Sequence, residues 1–101
     1  MKQKSKYEIE MDFNRAISQA QELEHLADSM SRIANNGVGS ALLVLKNSWR
    51  GDAGESIELA GRKTTADIYR TADDLIKVAR SIRTTANLVY KAEKAAINFC
   101  I

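Results

Sequence analysis

Few residues in this chain have side chains able to act as nucleophile, general base or metal ligand, and those few lie far apart. The single histidine, His25, sits in the run Q-E-L-E-H-L-A-D, and the single cysteine, Cys100, lies near the other end of the sequence. One thiol makes neither an internal disulfide nor a cysteine-based zinc site. Asp67, Asp73 and Asp74 fall in a helical stretch but lack the Glu-x-x-His partners that build a metal centre between helices. Gly37-Val38-Gly39-Ser40 has the glycines of a phosphate-binding loop without its lysine or flanking pattern. The residues therefore predict no enzyme, no cofactor and no metal. His25 reads as a surface or interface residue of a helix.

A chain with so little chemistry of its own must act through its surface, so the elements that build the surface matter most. The length of 101 residues suits one domain, spanning 1–101. Hydrophobic residues make up 45% and charged residues 28%, the balance of a soluble globular protein. There is no proline, so no position lacks the N–H that a long helix needs. Aromatic residues are only 6%, which leaves Ile, Leu, Val and Ala to fill the core and points to packed helices. A net charge of +2 gives little long-range field for nucleic acid, and no nucleic-acid partner is expected. The basic turn of Lys77, Arg80 and Arg83 reads as a solvated helix face. The start of the chain is basic but is not followed by an apolar run, and the longest apolar run, Ala41–Leu45, is far too short to span a bilayer. Neither a cleavable signal peptide nor an integral membrane segment is expected.

Two segments carry helical periodicity. In the first, Ile9, Phe13, Ala16, Ala20, Leu23, Ala27, Met30 and Ala34 recur in steps of four and three, the rhythm of helices packed side by side. Ser5 and Glu8 have the spacing of a capping box, which starts this helix near Lys6. It is expected to run over about 6–48, with a kink or short loop near 35–40, where Asn35-Asn36-Gly37-Val38-Gly39 disfavours helix. Ser40 would cap the stretch beyond, and a helix passing straight through is the competing possibility. The second segment, about 53–99, repeats the same rhythm at Ile57, Gly61, Thr64, Ile68, Thr71, Leu75, Val78, Ile82, Thr85, Val89, Ala92, Ala96 and Phe99, with Ala72, Ala79 and Ala86 as a line beside it. Between the segments, Gly51 is suited to a left-handed helix end, and Asp52 with Glu55 to a capping box.

The fold class expected is all-α: an antiparallel two-helix hairpin turning at Trp49–Gly51. Phe13, Leu23, Met30, Ile57, Ile68, Leu75, Val78, Ile82 and Val89 are its expected core and interface residues. Two helices side by side bury one seam, and these stripes are broader than one seam covers. Dimerisation into a four-helix bundle would bury the remainder. A monomer whose broken first half folds back as a third helix is the alternative.

The turn, Trp49-Arg50-Gly51-Asp52-Ala53-Gly54-Glu55, lies midway along a proline-free chain between two amphipathic segments. With these features the whole chain resembles the WXG family, the small Esx-type substrates of type VII secretion systems in Gram-positive bacteria and mycobacteria, and their helical partners. The resemblance implies a helical dimer made in the bacterial cytoplasm and secreted folded. It also implies a Tyr-x-x-x-Asp/Glu export element late in the second helix. Tyr90 with Glu93 is the nearest equivalent here, one residue short of the family spacing, since position 94 is lysine. Tyr69 and Asp73 have the literal spacing but lie well inside the helix. The partners implied are a second copy or a related helical chain, such as the N-terminal helical domain of a larger toxin, together with the type VII secretion machinery. The chain would act either as a secreted dimer or as a targeting partner or chaperone for the toxin. A cytoplasmic helical adaptor unrelated to secretion fits every residue outside the Trp-x-Gly turn.

Overall fold

The computed structural model describes residues 4–49 and 51–99, and of Phe99 only the backbone. Arg50 and Cys100 lie outside the described residues. The order of elements is α1 (Lys6–Arg32), a π-helical segment (Ile33–Val38), α2 (Gly39–Ser48) and α3 (Asp52–Phe99). No strand occurs among the described residues.

Helix α1 begins where its cap predicts. The Glu8 backbone N–H donates to Ser5 Oγ at 3.1 Å, and the Ser5 hydroxyl donates to the Glu8 carboxylate at 3.3 Å. One of the orphan N–H groups of the first turn is thereby satisfied.

The stretch from Asn35 to Ser40 is neither loop nor sharp break. Ile33–Val38 coils as a π-helix, and Gly39 stays helical at φ −59° and ψ −45°. Ser40 falls inside α2 and caps nothing, because the backbone arrives already helical from Val38. The poor helix formers of this stretch are absorbed by widening the coil, which keeps every backbone group within a helical ladder. The widening adds one residue to the repeat. Ala20, Ala27 and Ala34 are buried at intervals of seven. Beyond the π segment Leu42, eight residues after Ala34, lies over Gly61, whose missing Cβ leaves the space that the Leu42 methyls fill.

At the end of α2 the Trp49 N–H closes the helix on the Leu45 carbonyl at 2.9 Å, and Trp49 itself is extended. Gly51 then takes φ +75°, the only positive φ among the described residues, where a Cβ would be strained. The Glu55 N–H donates to the Gly51 carbonyl at 3.2 Å. Helix α3 thus begins at Asp52, which stands inside the helix and not in front of it as the expected cap. There Asp52 and Glu55 still offset the partial positive charge of the helix start.

The contacts divide the chain into two compact units, Met1–Glu24 with Ile76–Ile101, and His25–Leu75. Within each, the helical segments run antiparallel. In the first unit Glu10 meets Tyr90 and Glu24 meets Arg83. In the second, Asn35 accepts from the Tyr69 hydroxyl and Lys46 pairs with Glu58. The side chains buried most completely are small. Ala20 and Ala79 are 0% exposed, and Ile9, Ala27, Ala34 and Ala72 are nearly so. The second stripe therefore packs on its alanine line, and not on the Leu75, Val78, Ile82 line that the sequence favours. Alanine lets two backbones approach closely, whereas the branched residues are too bulky for that gap and are displaced to its flank.

Candidate interaction site

That displacement creates the site. In the first unit the two flanks of the seam differ in kind. One flank is polar and tied across: Arg83 forks onto Glu24 at 2.6 and 3.2 Å, Tyr90 donates to Glu10 at 2.6 Å, and Lys94 pairs with Glu10 at 3.1 Å. These pairs are only partly buried, and screening leaves them more use in fixing alignment than in stability.

The other flank is an apolar groove of about 560 Å³, floored by Ile9, Phe13, Ala16, Val78, Ile82, Ala86 and Val89. Val78 and Val89 remain 49% and 46% exposed, so the groove is open along its length. Phe13 and Tyr90 meet as a tilted ring pair, 4.6 Å between centroids, and close one wall. The polar rim consists of Lys4, Asp12 and Glu93 at one end and Lys77 towards the other. Lys4 bridges the two carboxylates, at 3.0 Å from Asp12 and 3.3 Å from Glu93 Oε1. The hydrogen bond to Asp12, followed by the one to Glu93, raises the lysine ammonium above its ordinary value. Glu93 Oε2 is buried and has no hydrogen-bond partner.

The sequence-predicted export pair, Tyr90 and Glu93, thus lies on one wall of this groove, and Phe13, Val78, Ile82 and Val89 line it too. Leu23, Met30, Ile57, Ile68 and Leu75 are partly buried along the helices. Tyr90 is engaged within the chain through Glu10. Sequence reasoning placed Lys77 on a solvated helix face and gave Lys4 and Asp12 no part in a site. Only the placement of one residue above and one below the apolar stripe would have marked them.

At the second unit's turn, Trp49 is 53% exposed. Leu43, Val44 and Leu59 are exposed in the same unit. Gly54 is buried, and a Cβ there would come within 2.6 Å of the Trp49 carbonyl oxygen. The Trp49-x-Gly51 turn and Gly54 form one backbone device that presents the indole. His25 is exposed on α1. Among the described residues no helix is long and apolar enough to cross a membrane. Set against known protein families, curated proteins and solved structures, the chain matches none of them.

The Glu10–Tyr90–Lys94 cluster makes alignment in the first unit sensitive to acid. The Tyr90 hydroxyl first, and Lys94 second, hold the Glu10 carboxyl below its ordinary value of 4.5. A depressed carboxylate contributes stability that is present above its unfolded value and lost as pH falls through its folded one. Melting temperature should therefore fall as pH drops below about 4.5, with a shallower decline in Glu10→Gln, measured by circular dichroism across an acid titration. An equal slope in both proteins would show that other carboxylates govern the acid limb.

Proposed function

We propose that this chain is a non-enzymatic helical hairpin that acts by pairing with another helical chain, and that it belongs with the WXG-type substrates and partners of type VII secretion. The observation that carries the reading is the Trp49-x-Gly51 turn. Its glycine occupies a left-handed conformation, its tryptophan is half exposed, and it joins two antiparallel helical segments. The open groove beside the alanine seam supports the pairing, because an apolar flank of this extent is a liability in a lone chain. Burying it against a second pair of helices gives a four-helix bundle. In this reading Tyr90 and Glu93, on one wall of the groove, would supply the tyrosine element on a face that such pairing covers.

The test is export. A tagged chain expressed in a Gram-positive host with a type VII system should enter the medium, and should stay in the cells when the secretion ATPase is deleted. Trp49→Ala should remain folded by circular dichroism yet be retained. A chain retained in both hosts that still pairs with a helical partner would be an adaptor, and the secretion reading would fall.

A further inference from the structure

The dipeptide Asn36-Gly37 can react with itself. Of the asparagines in this chain only Asn36 precedes a glycine, and glycine has no Cβ to shield its backbone nitrogen. That nitrogen can attack the side-chain carbonyl carbon of Asn36. The new C–N bond closes a succinimide ring, and the side-chain amide nitrogen leaves as ammonia, carrying off the proton of the Gly37 N–H. Water then opens the ring at either carbonyl. One opening gives aspartate. The other gives isoaspartate, in which the main chain runs through the former side chain and is longer by one methylene. Water is the only co-reactant.

Asn36 and Gly37 are both exposed, so backbone conformation alone holds the reaction back. The π coil of Ile33–Val38 supplies that restraint. In a π-helix each N–H bonds to the carbonyl five residues before it, which occupies the Gly37 nitrogen. Helical torsions at Asn36 also hold that nitrogen out of line with the side-chain carbonyl. The restraint is no firmer than the coil itself. Ala34 is the one buried residue in the coil, and two ties from its neighbourhood reach α3. The Tyr69 hydroxyl donates to Asn35, beside the reacting residue, and Leu42 rests over Gly61 just beyond the coil. Segments with few buried contacts open locally at low free energy, and each opening frees the Gly37 nitrogen.

We propose that Asn36-Gly37 is a self-modification site, gated by the π coil and its Asn35–Tyr69 tie, whose isoaspartate product releases α2 from α3. The added methylene interrupts the helical ladder between Ala34 and Gly39, and Leu42 loses its seat over Gly61. The site stands apart from the pairing reading and does not depend on it.

The test is incubation of the purified chain in warm, mildly alkaline buffer, followed by peptide mapping that resolves aspartate from isoaspartate. Asn36 in the folded chain should convert at least about tenfold more slowly than in denaturant, because opening limits the rate. It should still convert ahead of Asn14 and Asn87, which precede Arg15 and Leu88. Tyr69→Phe, checked for folding by circular dichroism, should convert several-fold faster than the wild type. Gly37→Ala should stop the reaction, and the fold accepts it, since the new methyl meets Ile33 at 3.9 Å. Hydrogen exchange should find α2 unprotected in the isoaspartate fraction. In Asn36→Asp, which gains the charge without the methylene, α2 should stay protected. An Asn36 that stays intact in the folded chain while the denatured chain converts overturns the site. Equal rates in the folded and denatured chains, or in Tyr69→Phe and the wild type, overturn the gate. A protected α2 in the isoaspartate fraction overturns the release.

Discussion

Replacing Ala79 with leucine should lower the free energy of unfolding by about 1–3 kcal/mol, while leucine at the neighbouring Val78 should change it by less than about 0.5 kcal/mol. The two positions are adjacent in sequence and opposite in circumstance. Ala79 is wholly enclosed between the helices, and Val78 is half exposed at the groove. A branched side chain at 79 has no space to enter, so it must push the helices apart. At 78 the extra methylene extends into solvent. Chemical denaturation of the two variants, under conditions in which both are monomeric, separates the alternatives. Equal losses would mean that the seam lies on the valine line after all.

The second large effect is expected at Gly54. An alanine there would set its Cβ 2.6 Å from the Trp49 carbonyl oxygen, a backbone atom that no rotamer change can move. Either the turn opens or the start of α3 shifts, at a cost of about 2 kcal/mol or more. The comparison is Gly51→Ala, where nothing lies within reach of the new methyl and only the left-handed φ is penalised, by about 1 kcal/mol. Thermal unfolding should therefore rank Gly54→Ala below Gly51→Ala, against the emphasis that a Trp-x-Gly pattern places on Gly51. The reverse ranking would show that the turn relaxes freely around position 54.

These contrasts also show what was legible in the sequence. Helical class, the Ser5 start, the turn at Gly51 and the breadth of the apolar stripe follow from local rules, and each is visible in spacing or in a capping residue. The π segment was not legible, because Asn35–Gly39 lowers helix propensity without saying whether the chain leaves the helix or widens it. The choice was made by packing, which seats Leu42 over Gly61. The seam was half legible. Ala72 and Ala79 stood in the pattern beside larger residues, and hydrophobicity favoured the larger ones, although close approach of two backbones selects for small volume. The groove's rim was not legible, since Lys4 meets Glu93 across 89 positions of sequence.

Two backbones held together over alanine leave a sequence little room to drift along that line. Glycine there would lose helix propensity, and anything larger would meet the opposite strand of peptide bonds. The groove imposes no such limit, for any apolar side chain of moderate size fits an open flank. Substitutions can therefore collect on the face that meets another chain while the internal contact stays fixed. A lineage built on this plan could exchange one associate for another, or turn from self-recognition to recognition of a stranger, without first having to rebuild its own scaffold.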